Sequence, residues 1–267
     1  NFYYSFLVLP PERRAAMCAV YAFFRYADDV TDDLAVPDAA DRLAAWRAAL
    51  EAAYAGETAA HPILPAFREV TRRYAIPAIY FRELIEGAAM DLAPRRYETF
   101  DDLYRYCYCV ASTVGLVCLH IFGFSDTRAL VMAEACGIAF QLTNILRDIG
   151  EDAARGRVYL PQEDLRRFGC PEETLLRGEA TPAFRELMRF EAARAWEYYE
   201  RARPLVGLVE PASRPCLRAM IEIYSRLLRR IERCGYDVFR TRVALPAWSK
   251  LAIAGRAWIA SRLHRPG

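Results

Sequence analysis

Helix punctuation runs through the whole sequence and strand signals are nearly absent, which restricts the chain to an all-helical fold. Pro10-Pro11 opens an apolar and aromatic segment that runs to about Asp33. Asp38 is placed to cap a second helix that stops near Gly56. Others follow Pro62 and Pro77, the latter through AIYFRELIEGAAMDL. Thr99 and Asp102 form a capping-box pattern, with Asp in place of the usual Glu, for one helix predicted to reach Gly123. Ser125 begins the next. Two long helices, at about 182–209 and 212–234, follow a loop-rich stretch at 153–180. No repeat, low-complexity tract or long linker interrupts the 267 residues, so residues 1–267 read as one domain.

Lys and Arg number 36 against 34 Asp and Glu, a balance that gives no concentrated basic face for nucleic acid. Lys250 is the only lysine. The eight cysteines include no CxxC pair and lie mostly in apolar helical stretches, so buried, reduced thiols in a cytoplasmic protein are expected. No signal peptide is visible, and no stretch reads as the ~18 apolar residues of a membrane span. The chain opens at Asn1 without Met, as though a leading segment were missing.

Two apolar helices end in aspartates, RYADDVTDD at 25–33 and NILRDIGED at 144–152. The helix macrodipole opposes carboxylates there, by roughly 0.3–1 kcal/mol each when exposed, so each end calls for positive charge. Asp28 and Asp32 share a face at i, i+4, and Asp148 and Asp152 repeat that spacing, with Asn144 one turn earlier and Glu151 alongside. These hard oxygen ligands suit Mg²⁺, which takes one or two carboxylates plus substrate phosphates. Zinc is disfavoured, because none of the three histidines is near either cluster. Arg25, Arg147 and the loop RGRVYLP at 155–161, with Arg155, Arg157 and Tyr159 as donors about Gly156, suit a diphosphate. Each arginine taken singly pairs as readily with a neighbouring aspartate. Between the clusters, YCYCVASTVG (106–115) puts Tyr106, Val110 and Val114 on one face. Ala111, Ser112 and Gly115 keep that helix thin, either for close packing or for an apolar tunnel.

These residues resemble the head-to-head prenyl diphosphate synthases: squalene, dehydrosqualene and phytoene synthases. YAFFRYADDVTD resembles the first aspartate-rich motif, YCYCVASTVG the central helix, and QLTNILRDIGEDAARGRVYLP the long second signature. The opening NFYYSFLVLPPERR is similar to the bacterial presqualene diphosphate synthases of the hopanoid pathway. The resemblance implies an all-α isoprenoid synthase fold around a central cavity. It implies that Asp28, Asp32, Asp148 and Asp152 bind Mg²⁺–diphosphate with help from Asn144, and that Tyr21, Arg25, Gln141, Arg157 and Tyr159 lie near the diphosphates or reacting carbons. It also implies that Tyr106, Val110, Val114, Phe2 and Phe6 line the prenyl pocket. Family members usually carry serines just before Phe2, where this chain has Asn1.

The chemistry implied is loss of diphosphate under Mg²⁺ and arginine, with the allylic cation steadied by aromatic faces such as Tyr21, Phe24 and Tyr106. A second prenyl chain then attacks, and proton loss closes a cyclopropane. The base is either released diphosphate or a tyrosine-held water. The bulk of Phe2 and Phe6 favours farnesyl diphosphate and a C30 product, and the small Cys18 argues for geranylgeranyl diphosphate and phytoene. NADPH use is left open. PAWSKLAIAGRAWIASRLHR at 246–265 reads either as a terminal helix docked on the core or as peripheral contact with the inner face of a membrane. Two other readings stand beside this one: a terpene cyclase, and a non-catalytic helical scaffold of the assembly-factor kind. Against the scaffold, Asp148→Asn is expected to abolish turnover and leave the fold intact.

Overall fold

The computed structural model describes residues 3–32, 38–93, 95–240 and 242–263, and the side chains of all of these but 31, 32 and 261–263. In chain order the helices are α1 (Tyr3–Phe6), α2 (Pro11–Asp32), α3 (Ala39–Ala55), α4 (Leu64–Arg73), α5 (Ala78–Met90) and α6 (Phe100–Cys107). A π-helical turn (Tyr108–Ser112) joins α6 to α7 (Thr113–Phe122). There follow α8 (Arg128–Ala154), α9 (Gln162–Arg167), α10 (Glu172–Leu176), α11 (Pro182–Ala202), α12 (Leu205–Leu208), α13 (Arg214–Arg233) and α14 (Ala247–Leu263). Among the described residues there is no strand, only an isolated antiparallel bridge between Phe124 and Val209.

The Thr99 capping box forms as expected, with the Thr99 side chain and the Asp102 carboxylate each taking the other's backbone N–H. Asp38 differs: it sits in the left-handed region (φ 82°) and makes no side-chain cap bond. The helix predicted from Thr99 to Gly123 is broken in register by the π turn, a one-residue insertion that apolar periodicity does not reveal. Thr113 Oγ1 donates to the Cys109 carbonyl at 2.6 Å, and Ser112 Oγ reaches the Glu134 carbonyl on α8 at 2.9 Å. The helix expected at 182–209 stops at Ala202, two residues before Pro204, which has no N–H to continue the ladder.

One contiguous core runs through the described helices. Its aromatic nucleus is Phe23 of α2, with ring centroids 4.6 Å from Trp46, 4.4 Å from Phe67 and 5.2 Å from Phe81, which ties α2 to α3, α4 and α5. Such pairs contribute about 0.5–1.5 kcal/mol beyond their buried area. In the other half, α8 packs against α11, α7, α13 and the π turn. Against the sequence expectation, the α6–α7 stretch and α8 are each long and apolar enough to cross a membrane, but both are mostly buried within the fold.

Beneath α6, Arg194 of α11 reaches Asp164 at 2.8 Å and Glu191 at 2.7 Å. Burial, together with the adjoining Asp164 carboxylate, pushes Glu191 up to about 8 against the pull of Arg194. In the unfolded chain Glu191 ionises near its ordinary 4.5. The stability this proton contributes is therefore complete below about pH 4.5 and is lost as pH rises towards 8. Glu191→Gln, whose amide keeps a donor towards Asp164, should flatten that slope. Parallel curves of unfolding temperature against pH for variant and wild type would sink this assignment.

Candidate active site

The C-terminal ends of α2 and α5 carry Asp28 and Asp91, and the C-terminal half of α8 carries Asn144, to the wall of one cavity of about 290 Å³. On α2, Met17, Tyr21, Phe24 and Asp28 line it, following the three-and-four spacing of a single helix face. On the central helix Tyr106, Val110 and Val114 line it as expected, and the π turn adds Ala111 beside them and Gly115 after. On α8 it is lined by Ala133, Gly137, Gln141 and Asn144. The tunnel and the close packing are both present, because a Cβ on Gly137 would fall 2.5 Å from Ser112 Cα. Phe6 also lines the wall, edge-on to Tyr21 at 6.3 Å. Cys18 is exposed and does not line the cavity, which removes the argument built on its size. Phe2 and the side chain of Asp32 lie outside the described residues.

Asp148 lies one turn beyond Asn144. Arg147 grips it with two hydrogen bonds, one of them 2.7 Å from Nε, and Arg242 Nε adds a third at 3.1 Å. Arg242 also approaches Glu151 at 3.3 Å. Lys250 lies near enough that burial and the Arg147 charge lower its pKa. Arg147 and Arg242, with Lys250 near Arg147, thus set positive charge beside the carboxylates of Asp148 and Glu151, a mixed cluster able to meet an anion through its cations. Arg147 therefore follows the aspartate-pairing alternative, as does Arg25, which binds Asp29 at 2.8 Å instead of Asp28.

Asp152, Arg157 and Tyr159 line a small side pocket next to the cavity. Burial, and then the charge of Asp148, push Asp152 up to about 7, with Arg157 opposing. Gly156, at φ 70°, lets the chain turn tightly before Arg157. Asp91 bridges pocket and cavity: it accepts hydrogen bonds from Tyr106 Oη and Tyr159 Oη, each at 2.8 Å. Asp91, Arg242 and Lys250 are site residues that the sequence pattern did not single out. Asp91 carries the same signal as the other two clusters, a carboxylate closing the apolar helix AIYFRELIEGAAM.

Hard-cation chemistry fits what is present. Asp28 and Asp91 line the cavity at the ends of α2 and α5, and Asn144 Oδ1, on the same wall, is buried without a hydrogen-bond partner. No ready-made group of three or more His, Cys, Asp or Glu occurs among the described residues. An ion completed by substrate phosphates does not require one.

Residues 1–249 match the squalene/phytoene synthase family. The chain belongs to that family. A 15-cis-phytoene synthase from Synechococcus elongatus is 40 % identical, over 94 % of this chain and 85 % of its own. A phytoene synthase from Arthrospira platensis is 38 % identical, over 98 % and 89 %. Among solved structures, a dehydrosqualene synthase in complex with ligand superposes with a TM-score of 0.90 at 29 % identity, covering 99 % of this chain and 92 % of that one. Squalene synthase HpnC from Alicyclobacillus acidocaldarius superposes at 0.83 and 32 % identity, covering 88 % and 89 %. The fold is the all-α isoprenoid synthase fold, and the chemistry is that of a prenyltransferase joining prenyl diphosphates head to head.

Proposed function

We propose that this protein is a phytoene synthase, joining two molecules of geranylgeranyl diphosphate. The observation that carries this reading is that relatives 38–40 % identical over nearly the whole chain are named phytoene synthases. It reverses the preference for farnesyl diphosphate drawn from Phe2 and Phe6. Phe6 meets Tyr21, seven residues back from Asp28, roughly 10 Å along α2. Phe122, Leu205, Val209 and Leu217 line the same cavity. Tyr106 and Phe122 alone stand about 24 Å apart along their helix, which favours the longer chain.

Asp28, Asp32, Asn144, Asp148 and Asp152 would hold Mg²⁺, which when bound supplies charge to the departing diphosphate. Arg157, Arg242 and Lys250 offer further positive charge to the same group. Tyr21, Phe24 and Tyr106 turn aromatic surface towards the cavity, suited to a cationic prenyl fragment. Leu84, Val110, Val114 and Phe140 keep that space apolar, so that water does not capture the cation. Ending on proton loss instead of hydride delivery, the phytoene reaction needs no NADPH.

We place the enzyme in the cytoplasm and at a membrane surface. The 17-residue α14 has no acidic residue, docks through Ile253 and Ala254, and exposes Trp248, Leu251, Trp258 and Ile259 beside Lys250 and Arg256.

Mass spectrometry of products formed with Mg²⁺ from each prenyl diphosphate, without NADPH, tests the reading. A C40 product from geranylgeranyl diphosphate is expected. A C30 product formed faster from farnesyl diphosphate overturns the chain length, and silence with both favours the scaffold. Vesicles of anionic phospholipid added to the same mixture should sediment the wild type and leave Trp248→Glu/Trp258→Glu in solution; equal sedimentation refutes the membrane contact.

A further inference from the structure

Asp91 closes α5 at the edge of the cavity and receives two phenols from distant parts of the chain, Tyr106 of α6 and Tyr159 of the loop after α8. Arg157 Nη2 holds the Asp91 backbone carbonyl at 3.1 Å, which fixes the carboxylate's base. The two phenol rings stack with centroids 5.1 Å apart and planes 25° apart. Tyr97 flanks both, at 5.5 Å and 6.1 Å. Tyr106 is almost wholly buried, and burial together with the Asp91 charge raises the pKa of both phenols, which keeps their protons on.

A phenol O–H is a small dipole, and its sign towards the cavity depends on where the proton points. An ionised carboxylate only accepts, so both protons are committed to Asp91. The Tyr106 oxygen then keeps its lone pairs, not its proton, for the cavity side. A charge-assisted hydrogen bond also leaves each ring more electron-rich.

We propose that Asp91 is a positioning residue for the condensation: it holds the hydroxyl protons of Tyr106, on the cavity wall, and of Tyr159, stacked against it from the side pocket, so that Tyr106 offers an electron-rich surface to the cationic prenyl fragment. This rests on the prenyl-condensation reading above. A carboxylate that merely clamped three segments together would do as well as an amide of the same shape. Asparagine separates the two roles, because its NH₂ cannot accept. One phenol must then turn its proton elsewhere, while the shape and the second hydrogen bond remain.

The test is steady-state kinetics and product analysis of Asp91→Asn, Asp91→Glu, Tyr159→Phe and Asp91→Asn/Tyr159→Phe, with Mg²⁺ and prenyl diphosphate, alongside thermal unfolding. Asp91→Asn should lower kcat roughly 10²-fold, leave KM within a few-fold, and divert product towards the prenyl alcohols of water capture. Asp91→Glu should recover part of kcat. The double variant should be no worse than Asp91→Asn alone, because the hydroxyl acts through the carboxylate. Full additivity, a kcat loss that simply follows the unfolding temperature, or wild-type behaviour of Asp91→Asn overturns the assignment. If Asp91→Asn does not fold, Tyr159→Phe carries the test by the same split of kcat from KM. Wild-type enzyme that couples no prenyl diphosphate overturns the functional reading and this assignment with it; coupling by the wild type together with an unaffected Asp91→Asn overturns the assignment alone.

Discussion

Asp28→Asn is expected to lower kcat/KM by about 10³-fold. Asp28 is exposed at the end of α2 and faces the cavity. The helix dipole opposes a carboxylate there by about 0.3–1 kcal/mol, which positive charge from a bound ion would offset. Asp148→Asn should lose activity to a similar extent and stability as well. Its partner Arg147 is only 10 % exposed and would be left with an amide in place of a carboxylate. A buried group deprived of its partner costs about 1–3 kcal/mol. The expectation from sequence that Asp148→Asn leaves the fold untouched is revised on that ground. Kinetics and calorimetry on the two variants check both statements, and an active Asp28→Asn would remove Asp28 from the proposed site.

Gly137→Ala is expected to destabilise the protein by about 1–3 kcal/mol, although alanine is the better helix former. A Cβ at Gly137 would lie 2.5 Å from Ser112 Cα, 2.6 Å from Ser112 N and 2.7 Å from the Ala111 carbonyl oxygen. All three are backbone atoms of the π turn, which cannot swing aside as a side-chain tip would. The packing of α8 on the central helix must open, and with it the cavity wall that both form. Gly255→Ala supplies the contrast. That glycine lies within α14 with nothing inside 4 Å of the place its methyl group would take, and the substitution should be neutral or stabilising by up to ~1 kcal/mol. Thermal unfolding of the two variants reads the difference directly. Equal melting temperatures would show that the π turn yields where its geometry indicates it should not.

Much of the site is legible in the residue pattern. Tyr21, Phe24 and Asp28, and Gln141 with Asn144, follow helical spacing, and each group does share a face on the cavity. Residues beyond one helix's reach are harder to place. Asp91 carries a readable signal, but a single carboxylate lacks the paired spacing that makes the other two ends stand out. Arg242 gives none, because it meets Asp148 across 94 residues of chain. The arginines next to the aspartates are visible, yet whether each grips a neighbour or faces outwards depends on rotamers that packing selects. Chain length is hard to read for a related reason: Phe6 has the bulk of a stopper, but its place on the cavity wall follows from how α1 lies against α13 and α14.

Helix positions, the Thr99 capping box, the glycine stop after α3 and the acidic ends of α2 and α8 follow from the residues alone, since caps, prolines and i, i+4 neighbours act within a turn or two. Only the packed structure decides which charge answers which. Tyr106 and Asp91 are 15 residues apart, Arg157 and the Asp91 carbonyl 66, and Tyr159 and Asp91 68. Contacts that long form only once α5, the central helix and α8 have buried their apolar faces against one another. Hydrophobic burial does not discriminate among polar partners, so the pairing at the cavity rim is set by the geometry that burial leaves behind.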